Sequence, residues 1–254
     1  PQIKKWESDM DFIILGSGSG MPCLSKHHSS VLVKTSEHTY LLDCGDSTSR
    51  QLLKQGIGWD DLDAVLITHL HPDHFSGIYM LLQMLYLGGR SKPLHLFLPE
   101  RQADFEQSLQ MLYTFPQKFG FALQIHDLAE VGVQFPEVTG IVNDHLLGYK
   151  ALIKRQDLPN LMLAYSLRIK SPTGDFVYSS DLKTIDSIFS QARGAHTILV
   201  DAGHPNPEQI LKLRELGIDR VILTHDPRPE LLARIAALGL KVFEEAVEGV
   251  PYHI

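Results

Sequence analysis

The pattern of apolar and polar positions predicts short strands early in the chain, followed by alternating strands and helices. Apolar runs of four or five residues beside turn-forming residues predict strands at 12–15, 30–33 and 39–42. A continuous apolar run at 63–68 is typical of a strand that is buried on both faces. Apolar residues spaced three and four apart predict a helix over 78–87.

The alternation continues to the end of the chain. Further strands are predicted at 94–98, 121–126, 161–169, 175–179, 197–200, 220–223 and 241–243. Further helices are predicted at 47–55, 101–115, 185–192, 207–216 and 230–238. In the helix at 47–55 we expect Leu52 and Leu53 to point inward. Sheets faced with helices indicate a layered α/β fold, and we expect one domain over 11–254 after an N-terminal extension over 1–10.

Charge and composition exclude several classes of protein. The chain has 30 acidic and 23 basic residues and a net charge of −7, which argues against a broad nonspecific grip on nucleic acid. No apolar run approaches the ~20 residues that span a bilayer, and residues 1–10 lack the apolar core of a secretory signal. With only Cys23 and Cys44 as cysteines, a reducing cytoplasm is the expected location.

Histidines and aspartates follow directly after four of the predicted strands. The strand at 63–68 continues into His69-Leu70-His71-Pro72-Asp73-His74, while Asp181 and His225 follow two later strands. A fourth strand leads into Asp201-Ala202-Gly203-His204. Because ligands collect at the carboxyl ends of strands in open α/β sheets, this placement indicates one shared site.

The segment 69–74 has the spacing of a metal-binding motif. In an extended chain, residues two apart point the same way, so His69 and His71 can bind one cation. Asp73 and His74 follow the bend at Pro72 and can face a second cation. Imidazole combined with carboxylate suits zinc, manganese or iron, and the sequence therefore predicts a metal site.

These residues carry a resemblance to a known superfamily. The segment 69–74 matches the His-x-His-x-Asp-His motif of the metallo-β-lactamase superfamily. The opening Leu15-Gly16-Ser17-Gly18-Ser19-Gly20-Met21-Pro22 and the stretch Leu42-Asp43-Cys44-Gly45-Asp46 resemble its ribonuclease Z and phosphodiesterase branch. The resemblance implies an α/β fold of the metallo-β-lactamase type, a four-layer αββα sandwich, with two divalent ions at one edge of the sheets.

The resemblance also implies the ligand of each ion. These are His69, His71 and His145 for the first ion and Asp73, His74 and His225 for the second, with Asp181 bridging the two. His145 is preferred over His126, which reads as the polar end of a strand. Residues 150–161 form an insertion after His145, and its Lys150, Lys154 and Arg155 lie either on a solvent-exposed hairpin or against phosphate oxygens.

Three further roles follow from the resemblance. Asp73 and His204 are catalytic, with His204 helping to protonate the leaving group. Asp43 orients the metal-binding loop from outside the ligand set, as the partners of ligating histidines usually do. At position 181 the classical β-lactamases place a cysteine, and Asp181 therefore disfavours antibiotic hydrolysis.

The resemblance predicts a dinuclear metal-dependent hydrolase, most simply a phosphodiesterase that uses a hydroxide bridging two ions. Zinc is the expected metal, with manganese or iron as alternatives, and the expected substrate is a small phosphodiester or nucleotide-type molecule. Two alternatives stay open on the same metals: a ribonuclease Z-like tRNA 3′ endonuclease acting on RNA, and a thioesterase or lactonase. The tRNA alternative ranks second because the chain has no long Gly/Pro-rich arm and lacks the family's Phe-Ser after His225. A homodimer is compatible with these features.

Two other classes fit less well. A di-iron oxidoreductase on this scaffold would carry glutamate where His71 stands, and a non-catalytic accessory protein would have lost a ligand of the set.

Overall fold

The computed structural model describes residues 8–254, so residues 1–7 of the predicted extension lie outside the described residues. Contacts divide the chain into two compact units. Of the described residues, the N-terminal unit comprises 8–130 and 247–253, and the C-terminal unit comprises 131–246 and 254. The expectation of one domain over 11–254 stays a prediction.

Each unit contains one sheet and several short helices. The strands of the described residues are β1 (Met10–Gly16), β2 (Ser30–Thr35), β3 (Thr39–Leu42), β4 (Ala64–Leu66), β5 (Leu94–Leu98), β6 (Leu123–Asp127), β7 (Val138–Val142), β8 (Tyr165–Ile169), β9 (Phe176–Tyr178), β10 (Thr197–Asp201), β11 (Arg220–Thr224), β12 (Phe243–Glu245) and β13 (Pro251–His253).

The helices alternate with these strands. The α-helices of the described residues are α1 (Thr48–Gln55), α2 (Pro72–Phe75), α3 (Ile78–Leu87), α4 (Gln102–Met111), α5 (Val131–Gln134), α6 (Lys150–Gln156), α7 (Phe189–Ala192), α8 (Pro207–Leu211) and α9 (Pro229–Leu238). Short 3₁₀ turns lie at Pro116–Lys118, Leu128–Glu130, His145–Tyr149, Ile185–Ser187 and Lys212–Glu215. None of the helices within residues 8–254 has the length and apolar character needed to cross a bilayer.

In the N-terminal unit, the sheet order is β13-β1-β2-β3-β4-β5-β6. Pairing is antiparallel from β13 to β3 and parallel from β3 to β6. Alternate strand side chains such as Val65 pack in one apolar cluster with Leu52 of α1 and Leu81 of α3. Leu52 is buried as predicted, but the same prediction for Leu53 is wrong, since Leu53 is 49% exposed. The buried face of α1 is narrow and holds positions three and four apart, so the next residue turns to solvent.

In the C-terminal unit, the sheet order is β12-β11-β10-β9-β8-β7. Strands β9 to β12 pair in parallel, and β8 pairs antiparallel with both β7 and β9. The predicted hairpin is therefore confirmed as β8 and β9, although β8 begins at Tyr165 rather than at residue 161. The carboxyl ends of β7, β9, β10 and β11 consequently lie at the same edge of this sheet.

The insertion after His145 forms a helix rather than a hairpin, so the hairpin alternative is wrong. Residues 150–156 form α6, and none of its residues is buried. Lys150, Lys154 and Arg155 all lie on this exposed helix.

Candidate metal centre

In the N-terminal unit, a single short segment supplies four candidate ligands. Strand β4 ends at Leu66, and the chain stays extended through His71, whose φ and ψ are −66° and 145°. Pro72 then begins α2, as expected for a proline in the first turn of a helix. The bend predicted at this proline is confirmed, and it places Asp73 and His74 on one helical turn.

The side chains of this segment lie close together. The ring of His69 is 4.7 Å from that of His71 and 4.2 Å from that of His74, measured between centroids. His74 Nε2 is 3.5 Å from Asp73 Oδ2. His69, Asp73 and His74 are buried, so their polar atoms converge in a largely desolvated cluster.

Asp43 supports this cluster through hydrogen bonds to Thr68 and His74. Its fully buried carboxylate accepts the backbone N–H of Thr68 at 2.8 Å and the Thr68 hydroxyl at 2.9 Å. Asp43 Oδ2 accepts Nδ1–H of His74 at 2.8 Å. Because a carboxylate only accepts hydrogen bonds, Nδ1 of His74 carries the proton and Nε2 carries the lone pair that can bind a metal. Asp43 thus contacts both Thr68 and His74, and its role in orienting a metal-binding loop stays a prediction.

The backbone of the Asp43 loop packs directly on the segment after α2. Cys44 donates its N–H to the His74 carbonyl at 2.7 Å, and Gly77 donates its N–H to the Cys44 carbonyl at 2.8 Å. A β-carbon at position 77 would lie 2.1 Å from the Gly45 carbonyl oxygen, so only glycine fits there. Burial raises the pKa of the Cys44 thiol far above its usual value, so Cys44 is a poor nucleophile.

The glycine-rich opening loop reaches the same cluster. A β-carbon at Gly20 would lie 3.5 Å from Asp73 Oδ2, so this loop borders the cluster at its Asp73 side. Glu248 fixes the base of the loop, accepting the N–H of Ser17 at 2.9 Å and the N–H of His27 at 3.0 Å. His27 Nδ1 lies 2.6 Å from Glu248 Oε2 and His27 Nε2 lies 2.7 Å from Gln51 Nε2, so this histidine braces the loop.

In the C-terminal unit, the candidate ligands come from separate strand ends. His145 follows β7, Asp181 follows β9, His204 follows β10 and His225 follows β11. Both His225 and its neighbour Asp226 have left-handed backbone conformations, with φ of 62° and 53°. Such strain in non-glycine residues is held in place by the surrounding structure and clusters at functional sites.

Asp181 is the centre of this second group. Its Oδ2 lies 3.5 Å from His145 Nε2, and its Oδ1 lies 3.4 Å from His225 Nδ1. Each carboxylate oxygen therefore faces a histidine from a different strand end. His204 Nδ1 lies 3.7 Å from Asp181 Oδ2, so His204 belongs to the same group.

His204 is oriented by Asp201 at the end of β10. Asp201 Oδ2 accepts Nδ1–H of His204 at 2.9 Å, and Oδ1 accepts the backbone N–H groups of Gly203 and His204. Asp201 is fully buried, whereas the His204 side chain is 43% exposed. The opposite ring nitrogen, Nε2, is consequently the atom available for proton exchange.

Asn143 and Asp144 bind the His145 loop to the Asp181 loop. Asn143 Oδ1 accepts the N–H of His145 at 3.1 Å. Asp144 Oδ1 accepts the N–H groups of Lys183 and Thr184 at 3.0 and 3.2 Å, and its Oδ2 accepts the Thr184 hydroxyl at 2.6 Å. The position of His145 is thus set by residues on both of its sides.

His126, the competitor of His145, lies in the N-terminal unit on β6. Its Nε2 is 3.1 Å from Nδ1 of His95, and its ring stacks on Phe97 at 4.8 Å. Burial, together with the charge of His126, lowers the pKa of His95. His126 thus belongs to a packed histidine pair on neighbouring strands.

The donor sets of both groups suit a transition metal. The N-terminal unit offers three imidazoles and a carboxylate, and the C-terminal unit offers imidazoles around the shared carboxylate of Asp181. Imidazole nitrogen and carboxylate oxygen are the ligands of zinc, manganese and iron sites, whereas calcium prefers more oxygen ligands. The residues present therefore fit bound metal.

Sequence reasoning missed three supporting residues: Asn143, Asp144 and Asp201. Asp201 carried a signal, because it ends a predicted strand three residues before His204. Asn143 and Asp144 carried none, since Asn143 acts on the backbone N–H of His145 and Asp144 acts on Lys183 and Thr184, 39 and 40 positions away.

The fold and the two histidine–aspartate groups define a metal-dependent hydrolase of the metallo-β-lactamase superfamily. The structure matches the metallo-β-lactamase fold protein YhfI from Bacillus subtilis, with a TM-score of 0.70 and 20% identity over 96% of this chain and 98% of that one. It matches the short form of human tRNase Z with a TM-score of 0.71 and 18% identity over 95% and 98% of the two chains. The predicted fold class is confirmed.

Two sequence comparisons define the family more closely. The family model described as anti-Pycsar protein Apyc1 matches residues 10–225. A ribonuclease Z from Myxococcus xanthus is 32% identical over 225 residues, which span 85% of this chain and 67% of that enzyme. The chain therefore belongs to the Apyc1 family and to the ribonuclease Z-like branch of the superfamily, and the predicted resemblance is confirmed.

Proposed function

We propose that the protein is a dinuclear metal-dependent phosphodiesterase. The observation that carries the proposal is the geometry of Asp181, whose two oxygens each face a histidine from a different strand end, at 3.4 and 3.5 Å. A carboxylate in this arrangement is suited to bridge two cations about 3.5–4 Å apart, the spacing used in two-metal phosphoryl chemistry. Membership of a ribonuclease Z-like branch of hydrolases supports the same reaction class.

The proposed ligands are those implied by the family motif. They are His69, His71 and His145 for the first ion and Asp73, His74 and His225 for the second, with Asp181 shared. We propose two zinc ions, because the donor set is rich in imidazole, with manganese or iron as substitutes. When bound, the ions would polarise a phosphoryl oxygen and neutralise the charge that develops on it.

His204 is the proposed proton donor to the leaving group. His204 Nδ1 is engaged by Asp201 Oδ2 at 2.9 Å, so Nε2 on the other side of the ring is the atom that we propose donates a proton to a departing oxygen. The partial exposure of the ring allows it to reach a substrate. Asp73 and Asp181 contribute as ligands and orient the reacting groups.

A small phosphodiester or nucleotide-type molecule is the proposed substrate. The net charge of −7 disfavours a large polyanion, because wide contact with nucleic acid needs a basic surface. The glycine loop beside Asp73 suits a compact phosphate group. Cleavage of tRNA 3′ ends is the second candidate, favoured by the similarity to a ribonuclease Z, and a thioesterase or lactonase activity is the third.

A substrate panel tests this proposal. Purified protein loaded with zinc, manganese or iron would be assayed on bis(p-nitrophenyl) phosphate, a dinucleotide, a 3′-extended tRNA, a thioester and a lactone. We expect diester hydrolysis that chelation abolishes and metal restores, and Asp181→Ala protein prepared in parallel controls for contaminating phosphatases. A lactonase or thioesterase rate without diester hydrolysis would overturn the proposal, and preference for the tRNA would promote the second candidate.

A leaving-group comparison tests the role of His204. His204→Ala should keep its metal and lower kcat by on the order of 10²- to 10⁴-fold on the dinucleotide, the usual contribution of a positioned general acid. The loss should shrink for p-nitrophenolate, which departs without a proton. Equal losses on both substrates, or loss of metal, would contradict the donor role.

We propose in addition that the protein forms a homodimer. The segment around α6 supports this, because Leu147, Leu152 and Leu161 are 52%, 36% and 63% exposed, and exposed apolar groups of this kind favour association. Light scattering coupled to size-exclusion chromatography would give the mass in solution. A monomer at micromolar concentration would contradict the proposal.

A further inference from the structure

Arg228 contacts the backbone on which His204 is mounted. Its Nε donates to the carbonyl of Gly203 at 2.8 Å, and its Nη2 donates to the carbonyl of His204 at 3.0 Å. Both donors belong to one planar guanidinium group, which binds two acceptors in a fixed geometry. A single side chain therefore holds two successive peptide groups of the His204 turn.

The same turn packs along the segment that carries His225. Ala202 donates its N–H to the Thr224 carbonyl at 3.0 Å, and Arg228 donates its N–H to the Ala202 carbonyl at 3.4 Å. A β-carbon at Gly203 would lie 2.2 Å from the His225 carbonyl oxygen, so glycine is required for this close approach. Arg228 thus joins the segment that carries His225 to the turn that carries His204.

We propose that Arg228 is a positioning residue for His204. By donating to the carbonyls of Gly203 and His204, it fixes the position of His204 Nε2 relative to His225. This inference rests on the proposed role of His204 as proton donor. Asp201 fixes which ring nitrogen carries the proton, and Arg228 fixes where the ring stands. The exposed imidazole of His204 needs both residues, because a proton donor in the correct tautomer still transfers its proton slowly when its ring is misplaced.

A guanidinium near a phosphodiesterase site has an obvious second role, direct contact with the phosphate. The two roles differ in their kinetic signature. Loss of a phosphate contact raises KM and slows all diesters alike, whereas loss of a positioning contact lowers kcat only where the leaving group needs a proton. The two carbonyl hydrogen bonds favour positioning, because they already engage Nε and Nη2.

The variants for the test are Arg228→Gln and Arg228→Lys. The first removes the charge and the paired guanidinium donors, and the second retains one charged donor. Arg234→Gln is the matched control, because Arg234 is an exposed arginine of the same unit whose ion pair is with Glu208. With the metal-loaded enzyme we expect Arg228→Gln to lower kcat on a dinucleotide by about 10- to 100-fold, the usual effect of a residue that orients a functional group. The loss on bis(p-nitrophenyl) phosphate should be several-fold smaller, Arg228→Lys should recover part of the rate, and Arg234→Gln should match the wild type.

A double variant separates the two proposals. If Arg228 acts through His204, then adding Arg228→Gln to His204→Ala should cause no further loss on the dinucleotide. A leaving-group effect for His204→Ala but not for Arg228→Gln would overturn this inference and leave the proposed function intact. Absence of the effect in His204→Ala itself would instead overturn the donor role, and with it the inference.

Hydrogen exchange measured by mass spectrometry gives a readout that does not depend on activity. The N–H groups of Gly203 and His204 both donate to Asp201, so loosening of the turn should accelerate their exchange. We expect faster exchange over residues 202–205 in Arg228→Gln, and wild-type exchange there in Arg234→Gln. Unchanged exchange in Arg228→Gln would overturn the positioning role, and a uniform rise in KM on both diesters would assign the guanidinium to the phosphate.

Discussion

The two groups of candidate ligands are built in opposite ways. In the N-terminal unit, one contiguous segment supplies His69, His71, Asp73 and His74, and one buried carboxylate, Asp43, holds both ends of it. In the C-terminal unit, four separate strand ends each supply one residue, and each of these loops is tied to a neighbour by its own contacts.

This difference determines how many candidate ligands are disturbed when one supporting residue is substituted. In the contiguous group, the geometry depends on a shared support, so removal of Asp43 disturbs several ligands at once. In the distributed group, Asp181 is shared but its neighbours are held by separate residues, Asn143 and Asp144 on one side and Asp201 and Arg228 on the other. Loss of one of these supports should therefore remain local.

The largest expected effect is that of removing the shared carboxylate. Asp181→Ala leaves both His145 and His225 without the group that they face, so metal content should fall and diester hydrolysis should drop to background. Elemental analysis and the assay check this. Asp186→Ala, which removes an exposed carboxylate of the same unit, is the control, and wild-type metal content in Asp181→Ala would contradict the central place given to this residue.

The second prediction concerns the two competing histidines. His145→Ala removes a group 3.5 Å from Asp181 and should reduce bound metal and activity strongly. His126→Ala removes a ring that stacks on Phe97 and pairs with His95, so it should lower thermal stability and leave metal content unchanged. The reverse pattern in elemental analysis would show that the family's third motif had been assigned to the wrong histidine.

A pair of isosteric changes tests the contrast between shared and local supports. In Asp43→Asn, an amide NH₂ would face Nδ1–H of His74, and the clash favours the tautomer that protonates Nε2, the metal-binding atom. We expect metal affinity to fall by about 10- to 100-fold. Competition with a chromogenic chelator measures this.

Asp144→Asn is the matched change in the distributed group. Its NH₂ would face the Thr184 hydroxyl, which can turn and accept the hydrogen bond, so metal affinity should stay close to that of the wild type. Equal losses in the two variants would remove the distinction between the two groups.

The smallest expected effect is a pH dependence of stability in the N-terminal unit. The pKa of His95 is lowered in the folded state by burial and by the charge of His126, so the unfolded chain binds this proton more readily. The free energy of unfolding should therefore decrease as the pH falls through the ordinary histidine value of 6.5. Urea titrations at pH 5 and pH 8 should show a smaller difference in His95→Gln than in the wild type, and an unchanged difference would contradict the assignment.

The contrast also explains what could be predicted from the sequence. The segment 69–74 is local, so its spacing reveals it directly, and Asp181, His204 and His225 follow strands that periodicity predicts. His145 is harder to predict from the sequence, because it follows β7, an edge strand with a weak pattern of burial. Only Val138 and Ile141 of β7 are buried. The supports at Asp144 and Arg228 could not be predicted, since they act on backbone groups 39 and 25 positions away.

Gly77 has a consequence for the evolution of this enzyme. It offers no side chain to a metal, yet a β-carbon there would lie 2.1 Å from the Gly45 carbonyl oxygen and displace the loop that carries Asp43. Natural variation at this position should be as restricted as at the candidate metal-binding histidines. The restriction at Gly77 is steric, because the neighbouring backbone leaves no room for a side chain. A search for distant members of the lineage gains by treating this glycine as part of the signature, and an engineered library that spares only the ligands would lose most of its functional clones at this position.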